Sequence, residues 1–458
     1  MRNNNEQHKK AKALDPTRNG RTAASYGTKV ELLSRLENQR TLTTTLLDKI
    51  VDYENLEKAR NQVVKNGGSG GVDGMEVKEL ERWLWKNITH LRNDLLTEQY
   101  EVSAVRKVEI PKPQGGTRML GIPTVKDRLV QQAIYQRLNE HYDKHFSERS
   151  YGFRPGRNAG QAILQAAEYV KSGHEWVVDI DLEKFFDKIN HDRLMSRLKK
   201  GIGDRRVLRL INEFLKAGLM HEGLVEQRIS GTPQGGPLSP LLSNIVLDEL
   251  DRELEARGHK FCRYADDCNI FVKTQKSGER VLDSVTKFIE HKLKLKVNRE
   301  KSGVRHCSDV KFLGYTLLTA GKIRISDKSI DRFQHKVKEI TKRNRGVSFQ
   351  AMIEELNRVI VGWSNYFKLA NSWLSNIRNL DGWIRRKLRC YKLKQSQRPR
   401  TTHQLLCSLG ASVNKSWNVV MYRHGWWPMS LHPTVSQCMS PAWFARQGLQ
   451  SLYSRIGR

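Results

Sequence analysis

Three carboxylates carry the first chemical suggestion in this 458-residue chain. Asp266 and Asp267 are adjacent within FCRYADDCNIFVK, residues 261–273, and the runs Phe261 to Tyr264 and Cys268 to Val272 on either side suit β-strands. The spacing predicts a hairpin with both acids at its turn. A third acid, Asp181, follows the apolar start of WVVDIDLEKFFDKI, near where a strand should end. If the two strands lie side by side, the three can bridge two Mg²⁺ ions roughly 3.5–4 Å apart while a triphosphate completes the octahedra. Plainer readings exist for each: an Asp-Asp turn is often only solvated, and an Asp after a strand often only caps it. The stronger reading needs other groups able to hold a triphosphate.

Composition narrows the partner. Lys and Arg total 80 against 49 acids, a net charge of +31. Such an excess costs self-repulsion in a compact fold and makes sense against a polyanion. Nucleic acid leads; a membrane surface is disfavoured because no long apolar run and no isolated basic amphipathic helix is present. Residues 326–458 carry +17 of this charge, so the C-terminal third is the most cationic part. The six cysteines form no Cys-x-x-Cys pair and lack zinc spacing, which points to buried free thiols in a reducing cytosol. Residues 1–28 are basic without an apolar core and are expected to be a disordered tail rather than a signal peptide.

The elements that must position the acids follow from periodicity. Leu32 to Val64 and Val77 to Leu96 have helical spacing, separated by the Gly67 to Gly71 run. VRKVEIPKPQGGTRMLGIPTV reads as a hairpin with Lys112 and Arg118 at its tip. Asp127 to Tyr142 returns to a helical period, and Asp192 to Leu219 is helical with Gly breaks. Strands and helices alternate irregularly, which argues for α+β rather than a doubly wound sheet. Beyond Ile325 the spacing of Ile330, Phe333 and Val337, of Met352, Leu356 and Ile360, and of Ile377, Leu380 and Ile384 predicts a helical bundle with a basic face.

Taken in order, these stretches resemble group II intron-encoded reverse transcriptases, also called maturases, from about residue 40 to the C-terminus. IPKPQGGTRMLGIPTVKDRLVQQA and YGFRPGRN look like the two fingers motifs of that family. VVDIDLEKFFDKINH, TPQGGPLSPLLSNI, FCRYADDCNIFV, LKLKVNREKSG and VKFLGY look like its palm motifs. NRGVSFQAMIEELNRVIVGWSNYFKLA and WIRRKLRCYKLKQ match the thumb and maturase signature. Each is weak alone; the specificity lies in their order.

The resemblance implies a right-hand polymerase: fingers at 29–175, a palm with an antiparallel sheet at 176–325, a helical thumb and maturase bundle at 326–400, and a small basic C-terminal domain at 401–458. It implies Asp181, Asp266 and Asp267 as metal ligands, with the Leu182 carbonyl beside them, for two Mg²⁺ ions with Mn²⁺ as substitute. Asp179 is passed over by the family pattern, and Asp187 is read as structural. Lys112, Arg118 and Gln234 would contact the incoming nucleotide, and Phe186, rather than Phe185, would wall off a 2′-hydroxyl. Lys301 is a candidate proton donor, the turn Phe312, Leu313, Gly314 and Tyr315 a primer grip, and Arg385, Arg386, Lys387 and Arg389 RNA-contacting residues. Its aromatics, at the grip and in the bundle, are equally readable as core. Expected partners are intron RNA, an RNA template with a DNA primer, target DNA and deoxynucleoside triphosphates, with room for a homodimer, in a bacterial cytoplasm. No HNH nuclease spacing follows the tail. Two other readings are a free-standing reverse transcriptase in DNA repair or phage defence, and a splicing factor without catalysis, against which the intact triad speaks.

Overall fold

The computed structural model of the protein describes residues 45–111, 117–221, 224–226, 231, 235–422 and 424–456. The expected tail at residues 1–28 lies outside them. Two compact units interleave along the chain, one formed by residues up to 145 with 184–246, the other by 146–183 with 247 onward. In chain order the strands are β1 (Val105–Pro111), β2 (Thr117–Ile122), β3 (Trp176–Ile180), β4 (Leu219–His221), β5 (Leu224–Glu226), β6 (Lys260–Tyr264), β7 (Asp267–Val272), β8 (Gly303–His306), β9 (Tyr315–Leu318) and β10 (Lys322–Ile325).

In the first unit the predicted helical periods appear as Tyr53–Asn66 and Leu80–Leu96, which bury Leu56, Val63, Leu84, Leu91 and Leu95. The next helix, Val125–Tyr142, starts where Thr124 Oγ1 accepts from the Asp127 N–H, satisfying one of the free donors of its first turn. β1 and β2 form the predicted antiparallel hairpin, with Ile110 opposite Arg118 and Pro111 opposite Thr117. β4 and β5 extend this sheet in the order β2-β1-β4-β5. Leu219, expected at the end of a helical stretch, instead opens β4. A three-residue strand has too little length to show alternation, so it exists through its pairing with β1 on one side and β5 on the other.

The second unit holds an antiparallel sheet in the order β6-β7-β3-β8. The central strands β3 and β7 bury apolar side chains on both faces, Val177 and Phe271 on one and Val178 and Ile270 on the other, because helices cover both. On one face the helix Ala159–Lys171 buries Ala162, Ile163 and Ala166, and its Tyr169 ring lies 5.5 Å from that of Phe271. On the other, the helix Gln275–Phe288 approaches so closely that a Cβ at Gly278 would sit 2.6 Å from Val304 Cγ1. The helices Asp327–Ile340, Phe349–Tyr366 and Leu374–Ser396 follow β10, and one apolar core joins them to the segments beyond residue 400 through Leu388, Tyr391, Leu406, Val435, Met439 and Phe444. Asp381 fastens the end of this run, accepting hydrogen bonds from Ser451 Oγ (2.6 Å) and from the Leu452 (2.9 Å) and Tyr453 (3.0 Å) N–H groups. All six cysteines are free thiols, with Cys262, Cys268, Cys307 and Cys390 buried.

Candidate active site

The two strands that carry the acids are neighbours. β3 pairs with β7 with Asp179 opposite Asn269 and Ile180 opposite Cys268, so the next step of the register sets Asp181 beside Asp267. Opposed residues share a face. Asp179, Asp181 and Asp267 therefore lie on one side of the sheet, at the opposite end from Val177 and Phe271. Asp266 occupies the two-residue turn between β6 and β7.

Compensation of these charges is uneven. Asp179 pairs with Arg305 Nη1 at 3.2 Å, yet burial, followed in effect by Arg305 opposing it and Asp181 adding to it, leaves its carboxyl above the usual range. Lys301 Nζ stands 3.5 Å from Asp181 Oδ2 in an exposed pair, a distance that places the lysine at the site without making it a strong contact. Asp267 has no cation at ion-pair distance among the described residues. Burial first, and then Asp179, Asp266 and Asp181, push its carboxyl up to about 7. A half-buried acid surrounded by acids lacks a counter-charge that a divalent cation would supply.

The donor chemistry fits Mg²⁺: hard carboxylate oxygens, with no imidazole or thiolate among the three acids. Among the described residues, no three His, Cys, Asp or Glu side chains close into a metal cage by themselves. Mg²⁺ sites of the phosphate-handling kind are ordinarily built this way, one or two carboxylates from the protein and the remaining ligands from water and substrate phosphate.

Both carriers are held by groups distant in sequence. The Asp181 N–H donates to Ser302 Oγ at 2.9 Å, and its carbonyl accepts from the Asn298 N–H at 2.8 Å. Leu182, whose side chain is buried, bridges to Val297, so the carbonyl expected to assist the metals belongs to a fixed segment. At the hairpin, Ala265 has φ +59, a left-handed conformation that a residue with a Cβ adopts at a cost. Arg263, fully buried, donates from Nη1 to the Ala265 carbonyl at 2.8 Å, and from Nε and Nη2 to both oxygens of Asp251 at 2.7 and 2.6 Å. Its Nη2 also reaches Ser150 Oγ at 2.8 Å. Gly152 closes the arrangement: a Cβ there would fall 2.2 Å from the Ala265 nitrogen. Sequence reasoning missed Arg263, Asp251 and Ser302. The available signal was an arginine at an apolar strand position, which demands a carboxylate that no local pattern identifies.

Of the other expected residues, Lys112 and Gln234 lie outside the described residues, and for Arg118 the strand register alone is described. Phe185 is buried while Phe186 on the same short helix, Phe185–Lys188, is partly exposed, so of the two Phe186 is the ring that a ligand can reach. The primer-grip turn needs correction in its aromatics. Phe312 and Tyr315 are 3% and 1% exposed and belong to the core, and the carbonyls of the turn between them are engaged as well: that of Leu313 (φ +50) accepts from Tyr366 Oη, that of Gly314 (φ +82) from the Ser326 N–H and Ser329 Oγ.

The basic helix Leu374–Ser396 also divides. Arg389 is buried, donates from Nε to the Met439 carbonyl at 3.0 Å and lies over the Phe444 ring, so it is a packing residue and not an RNA contact. Arg386 stacks 3.7 Å over Trp427 and donates to its carbonyl at 3.3 Å. Arg385 and Lys387 are partly exposed. No helix among the described residues is long and apolar enough to cross a membrane.

Comparison with known proteins identifies the family. Residues 110–317 match the family model described as reverse transcriptase (RNA-dependent DNA polymerase), and residues 330–407 the one described as group II intron, maturase-specific domain. "Protein YkfC" of Escherichia coli is 33% identical over 56% of this chain and 77% of its own length. The "Putative COX1/OXI3 intron 2 protein" of Saccharomyces cerevisiae is 27% identical over 62% of this chain and 40% of that protein. The "Group II intron-encoded protein LtrA" of Lactococcus lactis is 29% identical over 61% of this chain and 56% of its own. The chain thus spans about half the length of the latter two.

Proposed function

The chain belongs to the group II intron-encoded reverse transcriptases that carry a maturase domain, and from that premise we propose that it copies RNA into DNA with deoxynucleoside triphosphates, binds intron RNA, and assists splicing and target-primed mobility. The observation that carries the catalytic half is Asp267, an acid without a counter-charge among the described residues, set beside Asp181 by strand register and next to Asp266 in the hairpin turn.

In this reading Asp181, Asp266 and Asp267 hold two Mg²⁺ ions, with the Leu182 carbonyl as an added oxygen. When bound, the metals lower the pKa of the primer 3′-hydroxyl and neutralise charge on the leaving pyrophosphate. The protein's own work is positional. Ser302 and Asn298 fix the Asp181 backbone, and Arg263 fixes the turn that carries Asp266. Lys301, whose Nζ lies 3.5 Å from Asp181 Oδ2, gives a proton to the pyrophosphate in this reading. Lys112, Arg118 and Gln234 hold the triphosphate and base, and Phe186 excludes the 2′-hydroxyl. Residues 29–175 serve as fingers, 176–325 as palm, 326–400 as thumb and maturase bundle, and 401–458 as a C-terminal basic domain.

Splicing assistance is a binding function and does not pass through the carboxylates. Asp266→Ala is therefore expected to lower primer extension on an RNA template by at least about a thousandfold, since metal-centred charge stabilisation supplies several kcal/mol. Intron splicing by the same variant should stay close to wild type. Parallel loss of both activities in a variant of unchanged melting temperature would refute the division of labour.

A further inference from the structure

Outside the polymerase site, one cavity combines positive charge with an aromatic wall. It has a volume of about 300 Å³ and is lined by Thr341, Arg343, Lys387, Cys390 and Trp427. It sits where the end of the helix Asp327–Ile340 and the middle of the helix Leu374–Ser396 meet the short helix Trp426–Met429. No carboxylate is among its lining residues. Two of the five are cations, and Thr341, Cys390 and the Trp427 indole supply the neutral part of the wall.

The charges around it are held close together. Lys387 Nζ lies 5.0 Å from the centre of one Trp427 ring and 5.6 Å from that of Trp383, and the Arg386 guanidinium lies 3.7 Å over Trp427. Burial lowers the Lys387 ammonium's pKa. Cys390 opposes that shift, and Lys338, Arg343 and Arg386 add to it. A helix C-terminus attracts cations, which accounts for those that follow Ile340 in sequence. It does not account for Arg386 and Lys387, which lie mid-helix on another element. Stacking on Trp427 anchors that short helix, but among the described residues no carboxylate pairs with Arg343, Arg386 or Lys387.

We propose that this cavity receives a single unpaired nucleotide extruded from folded RNA, its base against the Trp427 indole and its phosphate between Arg343 and Lys387. The volume is at the lower end of small-ligand sites, suiting one nucleotide rather than a helix. A base offers a π-face to the indole whatever its identity, and a flanking phosphate offers the missing negative charge. Paired RNA presents phosphates but no free base face, so it engages the surrounding cations without filling the cavity. The inference rests on the reading of the chain as an RNA-binding maturase and gives that reading a specific site.

The test uses the full chain and two RNA hairpins of equal length and charge, one fully paired and one with a single bulged nucleotide, titrated by fluorescence anisotropy. Wild type is expected to prefer the bulged hairpin about tenfold, the scale of one base–aromatic stack. Trp427→Ala should bring the two affinities together, Trp427→Phe should restore part of the difference, and Arg343→Ala should shrink it several-fold with paired binding nearly unchanged. Arg343→Ala keeps the test valid if Trp427→Ala lowers the melting temperature. Equal wild-type affinity for both hairpins overturns the pocket and leaves RNA binding standing; retention of the full preference in folded Arg343→Ala and Trp427→Phe overturns it too. Binding of neither hairpin overturns the pocket together with the RNA-binding reading.

Discussion

Asp267 and Arg263 illustrate two opposite uses of a buried charge. At Asp267 burial and neighbouring acids raise the carboxyl from its usual 3.8 to about 7, so the folded state disfavours the ionised form. A group raised on folding contributes stability that is complete below its unfolded pKa and is lost as pH rises through the folded value. The metal-free protein should accordingly lose melting temperature between about pH 4 and pH 7.5. Asp267→Asn should flatten that loss, and Mg²⁺ added at pH 7.5 should raise the wild-type melting temperature more than that of the variant. Thermal melts with and without chelator measure this directly; identical pH slopes in the two proteins would count against an uncompensated Asp267. Arg263, by contrast, is fully satisfied. Arg263→Met strands Asp251 as a buried unpaired charge and is expected to cost about 3–5 kcal/mol. The double variant Arg263→Met/Asp251→Leu should regain most of that stability while primer extension stays depressed about tenfold, because the Ala265 carbonyl still lacks its donor. Denaturant melts paired with single-turnover extension separate the two effects, and full recovery of rate in the double variant would reduce Arg263 to a stabilising role.

At the scale of elements, the segment beyond residue 400 is held by specific polar anchors as well as by apolar packing. Asp381 receives three hydrogen bonds from residues 451–453, and Arg389 reaches the Met439 carbonyl. Removing the shared acceptor leaves buried donors unsatisfied, so Asp381→Ala should destabilise the protein by about 2–4 kcal/mol. The loss should be local, appearing in hydrogen exchange as faster exchange of amides in the helix Leu452–Ile456 before the sheet β6-β7-β3-β8 is affected. Equal acceleration in both elements would mean that they open as one unit. The same logic reassigns Arg389. Its alanine variant should lower the melting temperature, an effect a purely RNA-contacting arginine would not produce.

For the whole molecule, the net charge of +31 sets how RNA binding responds to salt. Each phosphate neutralised releases counterions, so affinity for a long structured RNA should fall at least about a hundredfold between roughly 50 and 200 mM monovalent salt. A filter-binding titration measures the slope. A flat dependence would imply that the excess charge serves something other than phosphate contact. Arg386 and Arg389, already engaged by Trp427 and Met439, should contribute less to that slope than exposed cations such as Lys338 and Lys342.

What the sequence by itself determined is local. Asp181, Asp266 and Asp267 were legible because each sits in a short motif whose flanking alternation specifies a strand or a turn. The helices beyond Ile325 were legible because apolar residues recur at helical spacing. Tertiary structure alone decided which charges are free to act. Asp179, inside β3, and Asp181, one residue past its end, look alike in sequence, and Arg305, 126 residues from Asp179, is what occupies the first. Phe312, Tyr315 and Arg389 carry the right chemistry for a nucleic-acid surface yet are buried by elements remote in the chain. Arg263 became a support of the turn that carries Asp266 through Asp251 on the helix Ser239–Ala256 and Ser150 in an earlier loop. Residue type and spacing encode what a side chain is able to do. Burial and pairing depend on what packs against it from elsewhere, and no local pattern contains that information.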